Sequence, residues 1–201
     1  MRLVLAGLIA FLLSGCMTAG KRGGEHALTV YDLGPPAVTA LTTMRQPALA
    51  IEVKAPLWID SMGIEYRLAY IDSARLREYA RARWAGPPTQ LIQQRLVQQL
   101  GGVANGQTSA SCVLRFEITE FSQIFDTPEI SRSVLQGRLQ WLDKRRVRLA
   151  EQTINLSNAA PTADAQGGVR AFSISIEQLT EKIKNWEKER VASGQINACG
   201  V

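Results

Sequence analysis

The sequence predicts an α/β domain in which helices cover a mixed β-sheet, and two kinds of pattern support this. Several segments alternate apolar and polar residues with the period of two that strands show. Two other segments place apolar residues three and four positions apart, which is the spacing of an amphipathic helix. Strands come first, a helix lies between them, and a hairpin and a final helix follow. This order favours a single domain with one mixed sheet.

Length and composition agree with one ordinary globular unit. The 201 residues are 46% apolar and 20% charged, which is near the average for globular proteins. These values exclude a disordered chain, a collagen-like repeat and a protein with many membrane spans. The 23 Lys and Arg exceed the 18 Asp and Glu only modestly, so a nucleic-acid partner is not expected.

Four segments in the first half have strand character: 28–33, 49–53, 64–71 and 75–84. The last of them is ambiguous, because its Ala and Arg content favours a helix whereas its period of two favours a strand. We interpret 75–84 as a strand.

The first helix is predicted between Gly86-Pro87-Pro88 and Gly101-Gly102, since prolines are tolerated in a first turn and glycines end helices. Its apolar face comprises Leu91, Ile92, Leu96, Val97 and Leu100. The residues expected to face away from the core are Gln93, Gln94, Gln98 and Gln99.

The second half continues the sheet and adds a long helix. Alternation from Cys112 to Thr119 predicts a strand, and 133–142 and 146–156 predict a hairpin. After Pro161 a single helical stripe comprises Val169, Phe172, Ile176, Leu179, Ile183 and Trp186. A coiled coil with another chain would use the same stripe. Fewer than three heptads are present, however, which favours packing on the chain's own sheet.

The N-terminus has the pattern of a secretion signal. Arg2 precedes eleven uncharged, mostly apolar residues, 3–13, a run too short for the roughly 20 residues that span a bilayer. Leu13-Ser14-Gly15-Cys16 resembles the lipobox of bacterial lipoproteins. The resemblance implies cleavage before Cys16, a diacylglyceryl thioether on its sulfur and an acyl chain such as palmitate on its new amino group. An ordinary secretion signal that contains a cysteine is the alternative.

The residues after Cys16 bear on location. Retention of lipoproteins in the inner membrane is associated chiefly with Asp directly after the lipidated Cys, and Met17 stands there. The resemblance therefore implies the outer membrane, with the domain on its periplasmic face. We expect 1–15 to be the signal peptide, 16–27 the lipidated N-terminus with a flexible tether, and 28–201 the domain.

Two cysteines remain for the domain, Cys112 and Cys199. In an oxidising compartment such a pair persists as a disulfide, so we predict a bridge that ties the C-terminal tail to a central strand. A buried free Cys112 with a frayed Cys199 is the alternative.

The sequence offers little catalytic chemistry. His26 is the only histidine and lies in the predicted tether, which excludes a multi-histidine metal site and a histidine triad in the core. Neither a Gly-rich phosphate loop nor a Gly-x-Ser-x-Gly elbow occurs. A carboxylate pair could come from Asp60, Asp72, Glu117, Glu120 and Asp126, although solvated surface charge is the default for each of them. Their spacing selects no pair, so we expect no enzyme, no metal and no cofactor apart from the covalent lipid on Cys16.

Three further segments carry a family resemblance. The first is Pro56-Leu57-Trp58-Ile59-Asp60 followed by Ile64-Glu65-Tyr66-Arg67, the second is Arg83-Trp84-Ala85-Gly86-Pro87-Pro88, and the third is the stripe from Val169 to Trp186. With the lipobox and Tyr31-Asp32-Leu33-Gly34, in this order, they resemble the ABC-type transport auxiliary lipoproteins, the PqiC/YmbA-like family. The resemblance rests on order and spacing rather than on any single motif.

This resemblance implies a three-layer sandwich with a mixed sheet. It also implies a role beside MCE-type proteins and their ABC transporter subunits, which move phospholipid or related lipids between the two membranes. The lipoprotein would be the outer-membrane end that docks or receives the periplasmic conduit, and a homo-oligomer is a further expectation.

Two sets of residues are candidate interaction surfaces. The first set would share one face of a strand with Tyr79 and comprises Arg75, Arg77, Arg81 and Arg83. Such a basic face could bind anionic lipid headgroups or an acidic partner. A solvated face is the alternative. Trp58 and Trp84 belong either to the core or, if exposed, to an interface.

Two other functions stay open from the sequence. One is a structural or assembly-factor lipoprotein of the envelope without a transport partner. The other is a periplasmic lipid-binding protein that carries its ligand in its own cavity.

Overall fold

The computed structural model of the protein describes residues 27–36, 43–44, 48–104 and 110–199. The predicted signal peptide, Cys16 and His26 lie outside these ranges, as does most of the predicted tether.

The described residues form eight strands and two α-helices. In chain order the elements are β1 (Thr29–Tyr31), β2 (Leu49–Lys54), β3 (Gly63–Leu68), β4 (Asp72–Trp84), α1 (Pro88–Leu100), β5 (Val103–Ala104), β6 (Cys112–Phe125), β7 (Ser131–Asp143), β8 (Arg148–Ala159) and α2 (Ala165–Ala192), with a 3₁₀ helix at Asn197–Cys199. The strand predicted at 75–84 is confirmed within β4, so its period of two prevailed over its helix-favouring composition. The hairpin and both helices are confirmed as well.

The sheet is organised around β6. Strand β7 pairs antiparallel with β6 along most of its length, and β8 pairs antiparallel with β7. On the other side of β6, β2 pairs parallel with residues 112–117 and β3 pairs parallel with residues 123–125. Strand β5 extends the first of these branches, whereas β4 and then β1 extend the second. Parallel and antiparallel pairs together confirm the mixed sheet.

Strand β6 runs further than its alternation predicted because its register shifts. Cys112, Leu114, Phe116 and Ile118 are buried, and a shift between Ile118 and Glu120 then moves the buried positions from even to odd numbers. A bulge of this kind adds one residue to one strand of a pair, so the alternation restarts out of phase. Phe121 and Phe125 therefore remain on the buried face.

Both helices pack on the same side of the sheet. Helix α2 contacts β7 and β8, α1 contacts β2, and the helices contact each other. The opposite side carries ion pairs such as Glu52–Arg115, with an O–N distance of 2.7 Å, and Glu117–Arg138 at 3.1 Å. A sheet with one polar face needs a covering layer on the other face only. The mixed sheet under helices in a single domain is confirmed, and in the described part of the chain it is built as two layers rather than the implied three.

The core between the helices and the sheet contains two aromatic groups. Trp84, Phe121 and Phe172 join β4, β6 and α2, with ring centroids 4.1 to 5.8 Å apart. Trp141 of β7 and Trp186 of α2 lie 6.4 Å apart. Aromatic side chains bury large areas and add about 0.5–1.5 kcal/mol per pair beyond that burial, so these contacts fix how α2 lies on the sheet.

The first turns of α2 approach the sheet closely. A Cβ on Gly168 would clash with the side chain of Gln123 in β6. Gln123 is fully buried and satisfied, since its amide donates to Ser131 Oγ at 2.8 Å and its Oε1 accepts from Tyr79 Oη at 2.9 Å. The helix begins after Asp164, whose carboxylate accepts from the N–H of Gly167 at 2.7 Å. This hydrogen bond holds the pKa of Asp164 below its ordinary value.

The C-terminal tail is tied to the sheet. The predicted bridge between Cys112 and Cys199 is present, with the two Cα atoms 5.2 Å apart. Ser111 Oγ also donates to the carbonyl of Cys199 at 2.9 Å, and Ile196 beside it is fully buried. The alternative of a frayed Cys199 is therefore wrong.

Candidate interaction surface

The two tryptophans of the sequence prediction have different environments. Trp84 is 1% exposed and belongs to the aromatic core, so it contributes to no surface. Trp58 is 49% exposed and lies in the loop between β2 and β3. Of the two, only Trp58 remains a candidate contact residue.

The loop that carries Trp58, residues 55–62, presents three apolar side chains from a fixed backbone. Leu57 is 91% exposed and Met62 is 46% exposed, whereas Ile59 between them is buried. The N–H groups of Ile59 and Asp60 both donate to the carbonyl of Pro56 at 2.9 and 3.0 Å. We call residues 55–62 the apolar loop.

Asp60 links the apolar loop to helix α1. The N-cap residue Pro87 offers no side-chain acceptor, and the Asp60 carboxylate supplies one instead, accepting from the N–H of Thr89 at 3.0 Å and from its hydroxyl at 2.7 Å. A carboxylate at a helix N-terminus satisfies donors that the helix leaves unpaired and complements its dipole. The first two family segments thus meet in space, and Asp60 has a structural role rather than a catalytic one.

The four arginines of β4 do not form one continuous face. Tyr79 and Trp84 are five positions apart, yet both point toward the helix-covered side, Tyr79 to Gln123 and Trp84 to Phe172. The register of β4 against β3 shifts between these positions, so the alternation is broken. Arg77 lies directly opposite Tyr66 in the strand register, and the Tyr66 ring contacts Tyr79, so Arg77 lies on the helix-covered side. Arg83 precedes Trp84 directly and therefore points to the other side of the sheet. The predicted strip of Arg75, Arg77, Arg81 and Arg83 is therefore split, and each arginine remains a candidate by itself.

An open groove lies between β1 and the N-terminal half of α2. Its apolar lining includes Val30, Val169 and Ile174, and its volume is about 460 Å³. Val30 and Ile174 are 51% and 47% exposed, although both are large apolar side chains. A second depression of about 320 Å³ continues along β1 and contains Arg81. We call the larger depression the β1–α2 groove.

A buried polar network holds the wall of this groove, and the sequence reasoning missed it. Arg95 of α1 is buried, donates to the carbonyls of Leu33 and Gly34, and pairs with Glu177 of α2 at 2.9 Å. Gln99 is fully buried and bonds Glu177 and Thr180. The expectation that Gln99 faces away from the core is therefore wrong, because α2 covers that side of α1. A basic residue within an apolar helix face was the available signal for Arg95.

Three carboxylates cluster on the other side of the sheet. Glu65 of β3 is buried, its Oε2 has no hydrogen-bond partner among the described residues, and Glu120 and Glu78 lie near it. Arg67 pairs with Glu120 at 3.0 Å. The pKa of Glu65 is raised to about 7, chiefly by burial. The negative charges of Glu120 and Glu78 raise it further, whereas the positive charge of Arg67 lowers it.

This cluster predicts a pH-dependent stability. Because the folded-state pKa of Glu65 is raised, its protonated form stabilises the fold below about pH 4.5, and this contribution is lost as the pH rises through about 7. We expect Glu65→Gln to be more stable than the wild type at pH 8 and to show a smaller difference at pH 5. Urea unfolding at both pH values measures this. Glu129→Gln, an exposed control, should show no such dependence, and an equal effect of Glu65→Gln at both pH values would contradict the assignment.

Within the described ranges no three His, Cys, Asp or Glu side chains are arranged to hold a metal ion, and none of the helices there is long and apolar enough to cross a bilayer. The described residues instead form a disulfide-tied mixed-sheet domain with an exposed apolar loop and an open apolar groove. They define the class as a single α/β domain with exposed apolar surface.

The particular family follows from the comparison with known proteins. The chain belongs to the ABC-type transport auxiliary lipoprotein components, whose family model matches residues 31–184. This confirms the family to which the order of the sequence segments pointed. The comparison with curated proteins gave no match.

Two solved structures have a similar fold. One is the crystal structure of protein XCC0632 from Xanthomonas campestris, of the family DUF330, with 18% identity over 86% of this chain and 95% of that chain and a TM-score of 0.63. The other, of an uncharacterized protein, has 17% identity over 78% of this chain and 96% of that chain and a TM-score of 0.58. At such identities the likeness establishes the shared α/β fold alone.

Proposed function

We propose that the protein is a non-catalytic outer-membrane lipoprotein of an ABC/MCE-type system that moves phospholipid between the membranes, and that it docks the periplasmic conduit. The family match over residues 31–184 is the observation that carries this proposal. Two polar clusters of the domain have structural roles, since Asp60 caps α1, and Arg95 and Gln99 join the helices.

If Cys16 carries the lipid anchor, the length of the chain limits the distance between the domain and the membrane. Cys16 and Thr29, the first residue of β1, are 13 positions apart. A fully extended chain spans at most about 3.6 Å per residue, so the start of β1 would lie within about 47 Å of the lipidated residue.

The apolar loop supports a docking role. Leu57 and Trp58 are exposed on a backbone that Asp60 and Ile59 hold in place. Exposed aromatic side chains on rigid segments are typical contact residues, because little conformational entropy is lost when they bind.

Lipidation predicts where the protein fractionates. We expect the wild type in the membrane fraction, labelled by radioactive palmitate, and Cys16→Ala released and unlabelled, because two or more acyl chains are needed for stable anchoring. Met17→Asp should move the protein to the inner membrane, whereas the control Met17→Ala should stay in the outer membrane. Cys16→Ala that still sediments with membranes would contradict the anchor.

Partner identity is tested by cross-linking in cells followed by purification of the full chain. We expect an MCE-type protein and ABC transporter subunits, with lower recovery for Trp58→Ala than for the wild type. Recovery of envelope assembly factors alone would favour the structural alternative. Phospholipid extracted in a fixed ratio from the purified protein would favour the lipid-binding alternative.

A further inference from the structure

The β1–α2 groove combines an apolar wall with a strand edge that pairs with none of the described strands. We propose that it binds an extended acidic segment of a partner protein by β-strand addition to β1. The inference rests on the proposed function, since a docked periplasmic component would supply this segment, but it concerns a site and a binding mode that can be tested separately.

No strand in the described ranges pairs with the outer edge of β1. The carbonyl of Tyr31 accepts from the N–H of Ala85 at 2.6 Å, so the backbone groups of Tyr31 face β4. N–H and C=O groups of successive residues in a strand point to opposite sides, and those of Val30 therefore point outward. Among the described residues β1 pairs with β4 alone. An added strand would satisfy the backbone groups of Val30.

The groove beside this edge fits the side chains of such a strand. Val30 and Ile174 form its half-exposed walls, and Val169 lies between them. A strand points every second side chain to the same face, so alternate apolar residues of a peptide along β1 would enter the groove. An edge strand next to an apolar groove is the arrangement of domains that bind peptides by strand addition.

The residues that directly follow β1 are held in place by hydrogen bonds. Asp32 Oδ1 accepts from the N–H of Gly34 at 2.7 Å, and Gly34 has a φ of 68°, which turns the backbone away from the strand direction. The carbonyl of Leu33 accepts from Arg95 and, at 3.0 Å, from Ser173 Oγ. The groove is therefore formed before a ligand binds, which lowers the entropy cost of binding.

The charges around the groove favour an acidic ligand. The carboxylates of Asp32 and Asp164 already accept backbone N–H groups. Arg81 lies in the adjoining depression, and Arg170 lies in the groove, close enough to Asp164 for its charge to lower the pKa of that carboxyl. An acidic peptide satisfies both the guanidinium groups and the backbone groups of Val30. An acyl chain satisfies neither, and the headgroup of an anionic lipid satisfies only the first.

The test uses the full-length protein in detergent and a fluorescent probe of alternating valine and glutamate, blocked at both ends. We expect this probe to bind, and a probe with lysine in place of glutamate to bind at least about tenfold more weakly. A valine–glutamate probe N-methylated at every second amide, which cannot pair with a strand edge, should also lose at least about tenfold.

Two variants assign the binding to this groove. Val30→Pro removes the outward N–H and is compatible with an edge strand. It should therefore lower the affinity for the valine–glutamate probe about tenfold or more. Arg170→Glu should reject the glutamate probe and accept the lysine probe. Arg138→Glu, on the opposite side of the sheet, is the control and should leave probe binding unchanged. Thermal unfolding of each variant checks that the fold is retained.

Several results would overturn the proposal. One is equal binding of the N-methylated and unmodified probes. A second is that neither peptide binds, while the protein binds phosphatidylglycerol vesicles and Arg170→Glu abolishes that binding. This result would assign the groove to lipid. A change in oligomeric state by Val30→Pro without any probe binding would assign the edge to a second copy. Failure to recover transporter subunits from cells would contradict the proposed function and leave the measured peptide site standing.

Discussion

Replacing Cys112 and Cys199 with serine is expected to lower the free energy of unfolding by up to about 4–5 kcal/mol, the largest effect of any substitution considered for this domain. The two residues are 87 positions apart, and closing a loop of that length removes much of the conformational entropy of the unfolded chain. Both cysteines are also almost fully buried, so serine hydroxyls would occupy an apolar environment.

Urea unfolding with and without reductant measures this effect. The wild type should unfold at a higher urea concentration without reductant, and reduction should bring it toward the double serine variant. Ser111→Ala is a useful control, since it removes the hydrogen bond to Cys199 and leaves the bridge. We expect it to cost only about 1 kcal/mol. A reductant-insensitive wild type would contradict the role of the bridge.

Trp84→Ala is expected to destabilise the domain by about 3–5 kcal/mol, because it removes a fully buried indole from its contacts with Phe121 and Phe172. Trp58→Ala is the matched control. Trp58 is half exposed, so its loss should cost less than about 1 kcal/mol.

The same pair separates stability from docking. In urea unfolding, the free energy of unfolding of Trp84→Ala should be far lower than that of Trp58→Ala. In cross-linking, the amount of partner recovered per folded molecule should fall for Trp58→Ala. Similar unfolding midpoints for the two variants would show that Trp84 is not the core residue that its burial indicates.

Local patterns predicted much of the fold because burial on one face imposes a period. The period of two identified β4 despite its Ala and Arg content, and the stripe from Val169 to Trp186 identified α2. The same approach stopped at Thr119 in β6, since the shift after Ile118 reverses which residues are buried. A bulge has no signature in the composition of a single strand, so the alternation could not be followed through it.

Site residues were harder to predict because their roles depend on contacts between distant segments. Each tryptophan lies near a proline in the sequence, Trp58 two positions after Pro56 and Trp84 three positions before Pro87. Nevertheless, Trp58 is exposed and Trp84 is buried in the core. Gln99 is polar but fully buried, because Thr180 and Glu177 of the other helix satisfy its amide. No single-segment pattern distinguishes such a glutamine from a solvated one.

The sequence by itself determined the fold class, the candidate disulfide and the family, because periodicity, residue type and the order of segments are properties of the chain. The tertiary structure alone decided that both helices share one side of the sheet, that Asp60 caps α1, and that no described strand pairs with the outer edge of β1 beside α2. Those features arise where segments far apart in the chain meet. Their physical cause is that polar groups withdrawn from water take partners from whichever segment packs against them.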